Sequence, residues 1–227
     1  QKGYKSFSDL KILEIHELDA ALPMENTDAN GLSKPMKAQP YYKIITENKV
    51  KIKTNIPVIK FPCFGQPKLN GFRVTSRLEK MIEGEGLFAV EVIKPTFRSK
   101  EGLQYTILEH IENEIEPLIN QLAYMLKVPP KDVVLDGEMY IPNTLLSDIS
   151  SAVKTRQDST LLLKYHIFDL AVPNVSQDKR LVYLEELAGL GLNTNTVIVP
   201  YCEIPSNEIA QTMTDIWIAE GYEGGIF

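Results

Sequence analysis

Lys68 is the first residue of chemical interest, because it lies in the run QPKLNGFR at residues 66–73 and three acidic or aromatic clusters follow it. These clusters are LDGE at 135–138, YHIFDL at 165–170 and EGGIF at 223–227. A lysine beside a tight glycine turn, two separate glutamates and an aromatic side chain are the groups that a site needs to move a nucleotide onto an amine. The pattern therefore predicts an enzyme.

The order and content of these segments resemble the covalent nucleotidyltransferase superfamily, and within it the ATP-dependent DNA ligases. Residues 66–73 look like the nucleophile motif K-x-D-G-x-R, with Asn70 where aspartate is usual. The three later clusters are similar to the motifs L-D-G-E, F-D-x-L and the start of E-G-x-x-x-K. Two weaker similarities are FRSKEG at 97–102, which resembles S-R-x-G with Lys100 in place of arginine, and KPM at 34–36, which resembles P-M-L-A.

The resemblance implies an α+β fold, the nucleotidyltransferase (ATP-grasp-like) adenylation domain built on antiparallel sheets flanked by helices. Strand and helix patterns that mix without strict βαβ alternation favour the same class. We expect residues 1–60 to form an N-terminal wrapping segment and residues 61–227 to form the adenylation domain, truncated before the last motif. No OB-fold domain is expected.

The resemblance also implies an activity, that of an ATP-dependent DNA ligase with ATP and Mg²⁺ as cofactors. Lys68 would attack the α-phosphate of ATP to form lysyl-AMP. The AMP would then pass to a 5′-phosphate of nicked double-stranded DNA for nick sealing in DNA repair or DNA replication. The alternatives are an RNA ligase, an mRNA-capping guanylyltransferase, or a non-catalytic nucleotide-binding domain.

Lysine attacks a phosphate only as the neutral amine, and its ordinary pKa of about 10.4 must therefore be lowered by the site. We expect burial beside Pro67 and Phe72, with Arg73 nearby, to act in that direction. A neutral Asn70 would also help, whereas a carboxylate there would favour the ammonium form. Asn70 could equally stabilise the turn before Gly71.

Several other residues are candidates for holding the nucleotide. Gly71 is expected to let the backbone approach the nucleotide closely or to take a positive φ. By resemblance, Arg73 would reach the ribose or phosphate, or else form a surface salt bridge. Arg98 and Lys100 would bind ribose or the phosphates of a nucleic-acid end, or else be solvated charges. Gln66 has an amide that suits the adenine edge, and Phe168 could stack on the purine. Pro67 is expected to belong to the same ATP-binding group.

Glu138 and Glu223 are the candidate metal ligands. The resemblance gives Glu138 contact with the ribose hydroxyl or the metal, and gives Glu223 a metal role. Mg²⁺ prefers oxygen ligands and often bridges one or two carboxylates to phosphates. Glu220 offers a second Glu-Gly pair, but Glu223 is followed by the matching apolar residues. The three histidines show no metal spacing and are expected to be structural.

Composition limits the class of protein. The net charge of −6 argues against bulk attraction to nucleic acid, although lysines alternate at positions 49, 51, 53 and 60 and could line a local groove or a solvated edge. Cys63 and Cys202 are too few for a disulfide framework, which favours an intracellular, reducing compartment. No stretch has the roughly twenty apolar residues of a membrane span. We expect a monomer.

The elements that must position these residues can also be predicted. Residues 61–92 show a β pattern with a hairpin at 83–86, which places Lys68 on a loop between strands. Apolar residues at helical spacing predict a helix over 106–127, with a kink or two abutting helices at Pro117. Strands are predicted at 133–140, 161–170 and 197–201, with Asp136 and Glu138 on one face. Further helices are predicted at 8–21, 147–154, 179–189 and 207–219.

Overall fold

The computed structural model describes residues 35–36, 42–47, 50–55, 59–99, 101–190 and 194–227, with the backbone alone for 42–47, 50–55 and Leu87. The helix expected at 8–21, and both Lys34 and Lys100 of the weaker motifs, lie outside the described residues. Most of the expected wrapping segment at 1–60 does so too, and its boundary stays a prediction.

The described residues form strands and helices that mix along the chain. The strands are β1 (Tyr42–Glu47), β2 (Val50–Asn55), β3 (Cys63–Lys68), β4 (Phe72–Glu83), β5 (Val90–Arg98), β6 (Gln104–Tyr105), β7 (Val134–Tyr140), β8 (Lys164–Ala171), β9 (Thr196–Ile198), β10 (Cys202–Ile204) and β11 (Gly224–Ile226). The helices are α1 (Glu109–Leu126), α2 (Leu146–Lys154), α3 (Gln177–Gly189) and α4 (Asn207–Ala219).

Two sheets carry the candidate site. The larger has six strands in the order β6-β5-β4-β7-β8-β9, and the smaller has three in the order β10-β3-β11. Their strand pairs are antiparallel except β8 with β9, which run parallel, so the expectation of antiparallel sheets holds everywhere but at that edge. β1 and β2 form a separate hairpin.

The core lies between the six-stranded sheet and α1. Apolar side chains at helical spacing along α1 are buried against it, namely Ile111, Ile115, Leu118, Ile119 and Leu122. Side chains of β4 alternate between buried and partly exposed positions, and Val74, Ser76 and Leu78 are the buried ones. Because side chains of a strand alternate between faces, Arg73, Thr75 and Arg77 point to the opposite, polar face of the sheet.

Pro117 lies inside α1, which is one continuous helix of 18 residues. The expectation of two abutting helices is therefore wrong. Proline removes one backbone donor and leaves the carbonyl of residue 113 without its helical partner. Asn113 and Pro117 are both exposed, so water can bind that carbonyl and the helix continues.

Lys68 is the last residue of β3, so the prediction that it lies on a loop is wrong. The turn follows at residues 69–71 and leads into β4. Lys68 is therefore fixed by strand pairing, because Lys68 and Pro67 are partnered by Gly224 and Gly225 of β11.

Most of the other predicted elements are present. The hairpin between β4 and β5 turns at residues 84–89, α2 begins one residue earlier than predicted, and α4 has the predicted bounds. The predicted strand at 161–170 is shorter, because residues 158–162 form a 3-10 turn before β8. β9 ends earlier than the predicted strand at 197–201.

The pairing of β7 with β8 contains one irregularity. Asp136 is paired with Asp169, whereas the next residue, Gly137, is paired with Ile167. Phe168 is thus the extra residue of a β-bulge, a feature that re-aims side chains. Since directly opposed residues share a face, the bulge brings Asp169 to the polar face that carries Asp136.

Candidate active site

Strands β3 and β11 hold Lys68 and Glu223 together. The amide of Glu223 donates to the carbonyl of Lys68 at 2.8 Å, and the Glu223 carboxylate forms an ion pair with Lys68 Nζ. The side chains are 40% and 46% exposed. The expected burial of Lys68 beside Pro67 and Phe72 is therefore wrong, since Phe72 packs edge-on against Tyr105 at 5.6 Å.

Glu138 lies on the polar face of the six-stranded sheet, directly opposite Arg73 of β4. Burial raises the pKa of Glu138 to about 7, with Arg73 opposing the shift, Asp136 adding to it and Lys68 opposing it. Glu138 also lies beside the turn that follows Lys68, since a Cβ on Gly71 would lie 2.5 Å from Glu138 Cγ. Lys68 and both glutamates thus lie near one another although they come from two sheets, and their roles stay predictions.

Gly71 is required by its contacts with β7. A Cβ at this position would lie 2.5 Å from Glu138 Cγ and 2.6 Å from the carbonyl oxygen of Met139. The backbone of Gly71 does not have a positive φ, so the expectation of a positive φ is wrong. The close approach is made to the side chain of Glu138, which is held against the turn that follows Lys68.

Arg73 makes a two-pronged ion pair with the buried carboxylate of Asp136. Its Nε donates to Oδ1 at 3.0 Å and its Nη2 to Oδ2 at 2.5 Å. Burial raises the pKa of Asp136 to about 6, although Arg73 opposes the shift. Nη2 also donates to the carbonyl of Met36 at 2.5 Å. The arginine is therefore oriented by the protein itself.

Phe168 lies beside this pair. Its ring centroid is 5.5 Å from the Arg73 guanidinium carbon, and the residue is half-buried. An aromatic face next to a fixed guanidinium offers a stacking surface and positive charge in one place. The bulge at this residue aims the ring toward the polar face.

Gln66 and Pro67 are buried in β3. The amide nitrogen of Gln66 donates to the carbonyls of Phe168 at 3.2 Å and Val199 at 3.4 Å. These bonds tie the smaller sheet to the larger one. They also engage the amide donor, which leaves the Gln66 oxygen as the side-chain group suited to a base.

Arg98 is one row further along the same face, opposite Thr75. It pairs with Glu79 through Nε at 3.0 Å and Nη2 at 2.5 Å, and its Nη1 donates to the carbonyl of Gly102 at 3.1 Å. Arg77 shares the same carboxylate. These contacts make a charged cluster next to the group formed by Arg73 and Glu138.

Two features of the site were not predicted. One is Arg180 of α3, which pairs with Asp169, whereas Asp169 and Asp136 were expected to accept hydrogen bonds from the backbone or from lysine. The other is Met36, which contacts both arginines. The similarity of residues 34–36 to a family motif was the only signal for Met36, and no sequence pattern pointed to Arg180.

The carboxylates of Glu138 and Glu223 could bind a metal ion only together with other ligands. Among the described residues, no group of three or more His, Cys, Asp or Glu side chains could hold a metal ion. Mg²⁺, however, is commonly held by one or two carboxylates together with substrate phosphates and water. Glu138 and Glu223 fit that mode of binding.

The two described histidines, His110 and His166, do not form part of such a group. Burial, with the charge of Lys164 as a smaller cause, lowers the pKa of His166 to about 4, and its ring packs edge-on against Tyr140 at 5.3 Å. His110 Nε2 lies 3.1 Å from the carbonyl of Leu163. His16 lies outside the described residues.

The chain is similar in fold to solved structures of DNA ligases. The Chlorella virus DNA ligase-adenylate is 18% identical, matches 86% of this chain and 60% of that chain, and has a TM-score of 0.50. A Lig E DNA ligase is 17% identical over 71% of this chain and 53% of its own, with a TM-score of 0.49. The ATP-dependent DNA ligase of bacteriophage T7, in complex with ATP, is 14% identical over 71% of this chain and 55% of its own, with a TM-score of 0.49.

These comparisons concern the fold. The likeness to the Chlorella virus structure confirms the predicted α+β adenylation-domain fold, and the chain spans between 53% and 60% of the length of the three structures. No protein-family model and no curated protein matches the chain. Within the described residues, the structure contains no helix both long and apolar enough to cross a membrane.

Proposed function

We propose that this chain is the adenylation core of an ATP-dependent DNA ligase, with Lys68 as the residue that carries AMP. The observation that supports this most directly is the ion pair of Lys68 with Glu223, next to the turn against which Glu138 is packed. Arg73 and Phe168 lie on the same polar face. A nucleophile, two carboxylates, a fixed cation and an aromatic surface are thus close together.

In the proposed first step, the neutral amine of Lys68 attacks the α-phosphorus of ATP. A nitrogen–phosphorus bond forms, the bond to the oxygen that leads to the β-phosphate breaks, and pyrophosphate leaves. The attacking nitrogen loses one proton to solvent or to a carboxylate and keeps one. Since the amine is in contact with the Glu223 carboxylate, Glu223 must release Lys68 before attack.

The remaining side chains bind and orient the nucleotide in this proposal. Phe168 stacks on the purine, Arg73 contacts the ribose or a phosphate, and the oxygen of Gln66 faces the base. Pro67 and Arg98 complete the set, with Arg98 placed to meet a phosphate. Glu138 and Glu223 would hold Mg²⁺, which when bound neutralises charge on the phosphates.

In the later steps, a 5′-phosphate at a nick in double-stranded DNA attacks the phosphorus of lysyl-AMP. The nitrogen–phosphorus bond breaks and Lys68 takes back its electron pair and a proton. The 3′-hydroxyl of the adjoining strand then displaces AMP and seals the nick. We propose a monomer for this reaction, with roles in DNA repair and replication.

Mass spectrometry of the intact chain incubated with ATP and Mg²⁺ tests the first step. The proposal expects a covalent AMP adduct that is lost in Lys68→Ala and kept in Lys60→Ala, whose residue is an exposed lysine just before β3. Binding of ATP without any adduct would instead indicate a non-catalytic nucleotide-binding domain. Adduct formation in Lys68→Ala would show that Lys68 is not the carrier.

The choice of nucleotide and nucleic acid needs a second pair of comparisons. Labelling with GTP in preference to ATP would indicate a capping guanylyltransferase. Transfer of AMP to a nicked RNA duplex in preference to nicked DNA would indicate an RNA ligase. The proposed DNA ligase requires ATP and nicked DNA.

A further inference from the structure

Two buried carboxylates lie directly opposite each other next to the candidate site. Asp136 of β7 is paired with Asp169 of β8, and the two residues are 1% and 6% exposed. Like charges directly opposite on neighbouring strands are destabilising. Burial strengthens the repulsion, because a buried charge is poorly screened.

Each carboxylate is neutralised by its own arginine. Arg73 pairs with Asp136, while Arg180 of α3 pairs with Asp169 through Nε at 2.8 Å and Nη2 at 3.0 Å. Arg180 is 8% exposed, and its Nη1 donates to the carbonyl of Val175 at 2.8 Å. The guanidinium is therefore held on three sides by the protein.

Asp169 in turn fixes the bulge. Its Oδ1 accepts from the amide of Leu170 at 2.8 Å as well as from Arg180. Phe168, the extra residue of the bulge, is the immediate neighbour of Asp169. The position of the Phe168 ring therefore depends on the pair formed by Asp169 and Arg180.

Met36 connects the two arginines. Its carbonyl accepts from Arg73 Nη2 at 2.5 Å, and its sulfur lies 3.6 Å from Arg180 Nη2. The two ion pairs are thus neighbours on one polar face. Without Arg180, Asp169 would compete with Asp136 for Arg73.

We infer that Arg180 is a positioning residue for the nucleotide site. By neutralising Asp169 within the bulge, Arg180 keeps Arg73 paired with Asp136 and holds Phe168 in the orientation that receives the purine. Arg180 itself touches neither the nucleotide nor Lys68. The inference rests on the proposed function, namely that the ligand is ATP and that Phe168 and Arg73 hold it.

The test measures ATP binding separately from chemistry. The dissociation constant of ATP is measured by calorimetry in a Lys68→Ala background, where no adduct forms, and labelling at saturating ATP is measured with Lys68 intact. We expect Arg180→Gln to weaken ATP binding by about tenfold, because both Phe168 and Arg73 lose their fixed positions. The labelling rate at saturating ATP should change by less than about threefold, because Lys68 and its glutamates are untouched.

Three further variants separate positioning from general damage. Arg180→Lys keeps the charge but loses the two-pronged geometry, and should bind ATP with intermediate affinity. Asp169→Asn combined with Arg180→Gln removes both charges, so Arg73 should stay with Asp136 and part of the lost affinity should return. Arg156→Gln is the matched control, since Arg156 pairs with Glu109 on an exposed surface, and it should bind ATP like the parent chain.

The following results would overturn the role of Arg180, the proposed transfer chemistry, or both. Unchanged ATP affinity in a folded Arg180→Gln chain overturns the inference, as does a double variant that binds ATP no better than Arg180→Gln alone. If Arg180→Gln does not fold, Arg180→Lys with parental affinity overturns it. If the parent chain binds ATP but is not labelled, the proposed transfer chemistry is wrong, and the ATP affinities of the variants still test the role of Arg180. If the parent chain does not bind ATP, both proposals are wrong.

Discussion

Glu223 contacts Lys68 twice, since its amide donates to the lysine carbonyl at 2.8 Å and its carboxylate pairs with the lysine amine. The backbone bond fixes where the carboxylate lies, and the ion pair holds the amine against that carboxylate. A divalent cation that binds Glu223 would compete with Lys68 for the same oxygens. Metal binding and release of the nucleophile are then linked through one side chain.

Glu223→Gln tests this link. The amide keeps the shape of the side chain but is a weaker ligand for Mg²⁺ than a carboxylate. We expect the Mg²⁺ concentration for half-maximal labelling of Lys68 to rise at least about fivefold, a loss of roughly 1 kcal/mol. Glu220→Gln alters an exposed carboxylate three residues away and serves as the control. An unchanged Mg²⁺ requirement in Glu223→Gln would remove Glu223 from the metal site.

Glu138 makes the stability of the chain depend on pH. Its pKa is raised by burial from 4.5 to about 7, so the folded state binds a proton more tightly than the unfolded state. The resulting stabilisation is complete below pH 4.5 and is lost as the pH rises through 7. Asp136, whose pKa is raised to about 6, acts in the same direction.

Denaturant unfolding at pH 5 and at pH 8 measures this effect. In Glu138→Gln the side chain cannot ionise, so the difference in unfolding free energy between the two pH values should shrink by on the order of 1–2 kcal/mol. Glu220→Gln should keep the parental difference. An equal pH dependence in Glu138→Gln and the parent would mean that Glu138 ionises normally.

Gly71 and Gly189 form a matched pair for substitution by alanine. At Gly71 a Cβ would lie 2.5 Å from Glu138 Cγ and 2.6 Å from a backbone oxygen, whereas at Gly189, the last residue of α3, it would meet nothing within 4 Å. We expect Gly71→Ala to lower the unfolding free energy by about 1–3 kcal/mol and to slow labelling, because Glu138 must move. Gly189→Ala should raise it by about 0.5–1 kcal/mol. Urea unfolding of both variants measures these changes. An unchanged unfolding free energy in Gly71→Ala would show that β7 can move away from the added Cβ at little cost.

Elements with local signals were predicted well. α4 has the predicted bounds, and Ser206 caps it by accepting from the amide of Ile209 at 3.4 Å. The apolar spacing of α1 also predicted its buried face correctly. Such patterns are visible in sequence because they arise from residues within one or two turns of each other.

The errors concern contacts between distant parts of the chain. A side chain at position 71 is excluded by Glu138, which is far away in sequence. The side-chain amide of Gln66 donates to carbonyls 102 and 133 residues away. The bulge at Phe168 depends on the register of two strands, which no local pattern records. Sequence order could therefore indicate which residues form the site, but not how they hold one another.

Phe168 gives the most direct test of how the nucleotide is held. Its ring lies 5.5 Å from the Arg73 guanidinium, and a purine stacked on it would gain about 1–3 kcal/mol from the aromatic face. Phe168→Leu keeps an apolar side chain but removes that face, so we expect the dissociation constant of ATP to rise by about tenfold. Phe88→Leu, in the exposed turn between β4 and β5 where the residue is 85% exposed, should bind ATP like the parent chain. Calorimetry in the Lys68→Ala background measures both, and equal affinities would assign Phe168 to packing because the base would then bind without it.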